Sequence, residues 1–154
     1  MIVFNYSSSV SVEETEENSV IIRVQRIDTH QEIYMRMEVE LPEATIKNIE
    51  AKFLRCPGGD CPQTAERLQT LVGKSLSRGI SRSLKEGVLG PHGCAHLGEM
   101  VMDAARSLVQ AKFTMRAIEL GYDEHGMQKE LDDSLKNTCH QYTVGWRPHR
   151  LCED

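Results

Sequence analysis

The sequence predicts an α+β domain: an antiparallel meander of about four strands, followed by three or four helices packed on one face of the sheet. Three features lead there. Apolar residues recur at every second position through the first third of the chain, as strands with one buried face require. From Arg55 onward that period gives way to steps of three and four, the spacing of helices. Gly and Pro cluster at the joints, in Pro57-Gly58-Gly59 and again in Gly90-Pro91.

The first strand is expected over Met1 to Val12, where Ile2, Phe4 and Tyr6 alternate and Val10 and Val12 resume the alternation after a serine cluster. Glu13 to Asn18 is a polar turn. In Ser19 to Ile27, Val20, Ile22 and Val24 share one face, opposite Ile21, Arg23 and Gln25. Asp28-Thr29-His30-Gln31 reads as a turn opened by its aspartate. Ile33, Met35, Met37, Val39 and Leu41 then point one way, against Tyr34, Arg36, Glu38 and Glu40. In the fourth strand, Thr45 to Leu54, Ile49, Ala51 and Phe53 keep the period while Ile46 is out of step, which a bulge or a start nearer Lys47 explains.

A helix is expected to open at Pro62, with Asp60 its better N-cap, a stripe of Leu68, Leu71 and Val72, and Gly73 as its stop. A second runs from Ser77 to Glu86 through Ile80 and Leu84. The longest follows from about Gly93 to Leu120, with Gly121 beyond it. Its apolar positions, among them Leu97, Met100, Val101, Ala104 and Leu108, fall at three- and four-residue steps, over a length of roughly 40 Å. A last short helix is expected over Met127 to Asn137. These elements make residues 1–137 one α+β domain and 138–154 an irregular tail holding Cys139, His140, Trp146 and Cys152.

With 154 residues, 40% hydrophobic and 27% charged, the chain has the composition of an ordinary globule that needs no covalent staples. Aromatic residues make up only 5%, so the core must be aliphatic and methionine-rich. A net charge of −5 excludes a broad nucleic-acid surface. No run approaches the roughly 20 apolar residues of a membrane span. The first residues lack the basic flank and apolar run of a signal peptide, and the cytoplasm is the expected compartment. Five cysteines are an odd count for a disulfide framework, so they read as thiols.

The chemistry concentrates in Pro91-His92-Gly93-Cys94-Ala95-His96-Leu97, which places one thiol between two imidazoles at the opening of the longest helix. Free N–H groups and the helix dipole there favour a thiolate, as nucleophile or metal ligand. Cys56 and Cys61 bracket a Pro-Gly-Gly turn at the other strand-to-helix joint. If the two joints share an edge of the sheet, Cys61, Cys94 and His96, with Cys56 as fourth ligand, form a donor set suited to zinc, iron or an iron–sulfur cluster. Cys-x4-Cys and His-x-Cys-x-His are not strict zinc or ferredoxin spacings. The bland alternative is equally open: Cys94 packs under the helix start and His96 bonds a carbonyl.

Arg55-Cys56-Pro57, Cys61, Leu71-Val72-Gly73 and Gly93-Cys94-Ala95-His96-Leu97-Gly98-Glu99 resemble the pattern of a bacterial domain family of unknown function. That family reads Arg-x-Pro, a following Cys, Leu-Val-Gly, then Gly-Cys-x-His-Leu-x-Glu, and the resemblance covers about Val20 to Met115. It supplies no activity or cofactor; it implies that Cys61, Cys94 and His96 are the motif positions. The order of sheet, Cys-bearing loop, helix and later Cys/His helix start is also similar to NifU-like iron–sulfur scaffold proteins. This chain has His92-Gly93-Cys94 where those carry an adjacent His-Cys pair.

Three functions follow as expectations. The first is a small accessory protein holding a metal or iron–sulfur centre through Cys56, Cys61, Cys94 and His96. The second is a non-catalytic module that binds a protein partner or forms a homodimer. The third is a thiol enzyme with Cys94 as nucleophile, His96 or His92 as base, and Glu99 as the carboxylate that orients it. Neither nucleic acid nor membrane is an expected partner.

Overall fold

A computed structural model describes residues 1–15 and 18–121, together with 123, 126, 130, 135 and 136. The chain divides into two compact units, Met1–Ala111 and Lys112–Asp154. The helix expected over Met127–Asn137 falls mostly outside the described residues, and the tail wholly so.

Four strands, β1 (Tyr6–Glu14), β2 (Ser19–Asp28), β3 (Glu32–Glu40) and β4 (Thr45–Arg55), lie in sequence order in one antiparallel sheet. The register stacks the alternating apolar residues on a single face. Val10 pairs with Val24 and Val24 with Met35, while Val12, Ile22, Met37 and Ile49 form the next row. Val20, Ile22, Val24, Ile33, Met35, Met37, Val39, Ile46 and Ile49 are all fully buried. The bulge expected near Lys47 is present. Glu38 pairs with Asn48 but Val39 with Ile46, so Lys47 is the extra residue and Ile46 returns to the core face.

The first strand begins later than its alternation predicts. Met1 to Phe4 are exposed, and the ladder starts only after Asn5 exchanges hydrogen bonds with Thr29, at 2.9 Å to its hydroxyl and 3.1 Å from its N–H. Alternation marks a face, but only a partner strand fixes where pairing begins.

The element opening at Pro62 is a 3₁₀ helix, Cys61–Leu71, rather than an α-helix. Its two buried residues, Leu68 and Leu71, are three apart and so eclipse one another in a three-residue turn. Thr64 and Thr70 donate to the carbonyls three residues back, at 2.6 and 2.7 Å, which favours the tighter winding. Asp60 occupies the N-cap position but makes no capping hydrogen bond.

Gly73, with φ 79°, turns the chain back along β4: its N–H donates to the Ile46 carbonyl at 2.8 Å, the Ile46 N–H to the Lys74 carbonyl at 2.9 Å, and the Leu76 N–H to the Ala44 carbonyl at 2.8 Å. Helix α1 spans Ile80–Gly87, three residues later than expected at its start, because Gly79 has φ 73° and stands outside the right-handed region. Helix α2 runs from Ala95 to Glu119, 25 residues or about 37 Å, and buries Leu97, Met100, Val101, Ala104 and Leu108. No helix among the described residues is long and apolar enough to cross a membrane.

Candidate functional site

The turn before α2 is built around a close backbone approach. Val88 and Leu89 both donate to the Leu84 carbonyl at 2.9 Å, Gly90 takes φ 100°, and Cys94 N–H returns to the Val88 carbonyl at 3.0 Å. A Cβ on Gly93 would lie 1.9 Å from that carbonyl oxygen, so no larger residue fits. Cys94 is thereby fixed at the helix entrance, and its carbonyl accepts the Gly98 N–H at 3.2 Å. Its Sγ lies 3.9 Å from Nδ1 of His96, both residues half-buried. Leu97, next in the motif, is fully buried.

At the other joint, the Cys56 thiol donates to the Gly58 carbonyl at 3.3 Å, and Cys61 N–H reaches the same oxygen at 3.2 Å. A Cβ on Gly58 would stand 3.6 Å from Cys61 Sγ, an ordinary contact. Burial pushes the Cys56 thiol up, and the neighbouring Cys61 thiol pushes it further. A thiol raised in this way is a poor nucleophile at neutral pH.

Residues beside both joints line one cavity, and none of Cys56, Cys61, Cys94 and His96 is among them. Asp60, Thr64 and Arg67 of one, and Pro91, His92 and Gly93 of the other, line a polar cavity of about 650 Å³. Arg67 ties the 3₁₀ helix to the end of α1 by donating to the Gly87 carbonyl at 2.8 Å. The four expected ligands nevertheless remain two pairs, Cys56 with Cys61 and Cys94 with His96. Among the described residues no group of three or more His, Cys, Asp or Glu side chains converges to hold a metal ion. His92 is exposed on the cavity rim. Glu99, expected to orient a base, instead accepts a hydrogen bond from Arg26. Cys139 and Cys152 lie outside the described residues.

Two charged residues were missed by motif reading. Arg26 and Asp28, 8% and 5% exposed, extend the inward row of Val20, Ile22 and Val24. The Arg26 guanidinium bonds Glu99 and lies 4.5 Å above the Tyr6 ring centroid, and its Nε is 3.6 Å from Asp28. Burial alone would raise the Asp28 carboxyl. Hydrogen bonds from the Gln31 side chain and from the His30 and Gln31 N–H groups, with the charge of Arg26, outweigh burial and lower it to about 2. Arg55 of the Arg-x-Pro motif clamps this same turn, donating to the Asp28 and Thr29 carbonyls at 2.7 Å each. The missed signal was the strand period itself, which carries both Arg26 and Asp28 onto the apolar face.

Known proteins add one finding. A search of the curated proteins gives no match, nor does a search of the solved structures, so no relative supports the NifU-like likeness. A family model described as a protein of unknown function, DUF2889, matches residues 10–110, from the middle of β1 into α2. Arg55, Cys61, Leu71 to Gly73 and Gly93 to Glu99 all fall within that span. The chain therefore belongs to the DUF2889 family.

Proposed function

We propose that the protein is a small, non-catalytic accessory module that self-associates through the outer edge of β1. The observation that carries this reading is the state of that edge. β1 lies first in the sheet order, and among the described residues no strand covers its outer side. It pairs with β2 over all nine residues without a bulge, and it contains no proline or lysine. Prolines, lysines and bulges are devices by which sheets blunt an open edge; β1 carries only the charges of Glu13 and Glu14, both at one end, and the rest of it is a template for another strand.

A second copy of β1 is the best-fitting partner. Antiparallel pairing centred on Val10 uses the whole strand and sets Glu13 opposite Ser7 and Glu14 opposite Tyr6, so no like charges face one another. Ser9 then faces Ser11 of the other copy. Ser9→Glu with Ser11→Glu creates two facing carboxylate pairs in the dimer, whereas within one chain these positions oppose Gln25 and Arg23. The dimer constant should fall by about 2- to 30-fold, from roughly 0.2–1 kcal/mol per pair. Sedimentation equilibrium measures it; a monomeric wild type would refute the proposal.

A second reading keeps the metal centre, because two ligand pairs lie at joints whose neighbouring residues line one cavity. In it Cys56 and Cys61 supply two thiolates, and Cys94 and His96 complete the set for zinc, iron or an iron–sulfur cluster. The pairs must draw together for this, since a closed site needs four ligands.

A further inference from the structure

We propose that the cleft between α1 and α2 binds an apolar monocarboxylate, whose headgroup takes Arg26 in place of Glu99. The inference is independent of self-association, since every residue it uses belongs to one chain. The cleft has a volume of about 500 Å³, within the range of small-molecule sites. Leu84, Leu89 and Met102 give it an apolar lining. Gly98 keeps the helix bare where Leu89 approaches: a Cβ there would stand 2.6 Å from Leu89 Cδ2.

Tyr6 and Glu99 line the cleft, and Arg26 touches both. Arg26 lies behind Tyr6 and Glu99 rather than in the lining itself; among the described residues it is 8% exposed and makes a single hydrogen bond, and its buried Nε, 3.6 Å from the Asp28 carboxylate, has no hydrogen-bond partner. A guanidinium with one hydrogen bond has further N–H groups to offer, and a planar carboxylate presenting two oxygens can take two of them. Glu99 supplies such a carboxylate from a side chain that is 60% exposed, so it can return to water at little cost. It holds the place of a ligand headgroup.

The other charges around the cleft permit an anion. Asp103 is tied to Ser8 and Arg106, each at 3.1 Å. Lys85, on the α1 side, makes no ion pair among the described residues and adds a positive charge. Only an anion with an apolar body uses both the lining and Arg26.

Isothermal titration with decanoate tests this, with decanol and acetate as probes lacking the charge or the body. Decanoate should bind one per chain, at least roughly tenfold more tightly than either control. Glu99→Gln removes the competing carboxylate and should tighten decanoate by roughly three- to tenfold, whereas Arg26→Gln should weaken it by roughly tenfold or more. Met102→Trp, which fills the cleft, gives the same loss if Arg26→Gln does not fold. No decanoate binding, equal binding of decanol, or Glu99→Gln leaving affinity unchanged or weaker overturns the proposal.

Discussion

Gly93→Ala is the substitution with the sharpest expected effect. The added methyl would sit 1.9 Å from the Val88 carbonyl oxygen and 2.8 Å from its carbon, both backbone atoms that no rotamer change can move aside. Relief requires the turn to open, which stretches the 3.0 Å bond from Cys94 N–H to that carbonyl. Val88 is fully buried, so the bond has no ready replacement from water. Losing it costs about 1–3 kcal/mol, and the overpacking a further 1–3 kcal/mol. The sum, roughly 2–6 kcal/mol, is a large part of the stability of a domain this size. Urea unfolding followed by far-ultraviolet circular dichroism measures it, with Gly59→Ala as comparison, because a Cβ at Gly59 meets nothing within 4 Å. If Gly93→Ala loses no more than about 0.5 kcal/mol, the close approach is not what the glycine of the Gly-Cys motif is for.

The Asp28 carboxyl is lowered from 3.8 to about 2, so its contribution is complete above pH 3.8 and is lost as the pH falls through 2. The contribution is roughly 2 kcal/mol at most, and about 1 kcal/mol after solvent screening. Urea midpoints at pH 6 and pH 2 should therefore differ less in Asp28→Asn than in the wild type; equal differences would show that the turn carries no such linkage. For the metal reading, elemental analysis of anaerobically purified protein should find about one zinc or iron per chain, falling in both Cys61→Ser and Cys94→Ser. Loss in only one variant would mean that the two pairs do not share an ion.

The sheet was legible because its physics is local. A strand with one wet face writes its burial into every second residue, and even the displaced Ile46 announced the bulge at Lys47. The limits of the helices were less so. Pro62, Leu68 and Leu71 suit an α-helix as well as a 3₁₀ helix, and the threonine bonds that favour the tighter form leave no periodic mark. The candidate site was legible only in part. The glycines before Cys94 do precede the start of the longest helix, and residues beside the two cysteine joints line one cavity. Sequence spacing says nothing of the distance between ligands on different loops, and Cys56 with Cys61 and Cys94 with His96 remain two pairs. Arg26 and Asp28 were readable in principle from the strand period. Motif reasoning attends to thiols and imidazoles and passes over charges placed in an apolar row.

Cross-linking at the proposed twofold axis tests the central claim most directly. In the Val10-centred register each Val10 faces its own copy, with Cα atoms about 4.5–5.5 Å apart, within reach of a disulfide. Ser7 would lie roughly 20 Å from its counterpart, six residues away along the ladder. Under mild oxidation Val10→Cys should form a covalent dimer that wild type and Ser7→Cys do not, and Ser9→Glu with Ser11→Glu should suppress it. A Val10→Cys protein that stays monomeric, or a Ser7→Cys protein that cross-links as readily, would contradict self-association through β1.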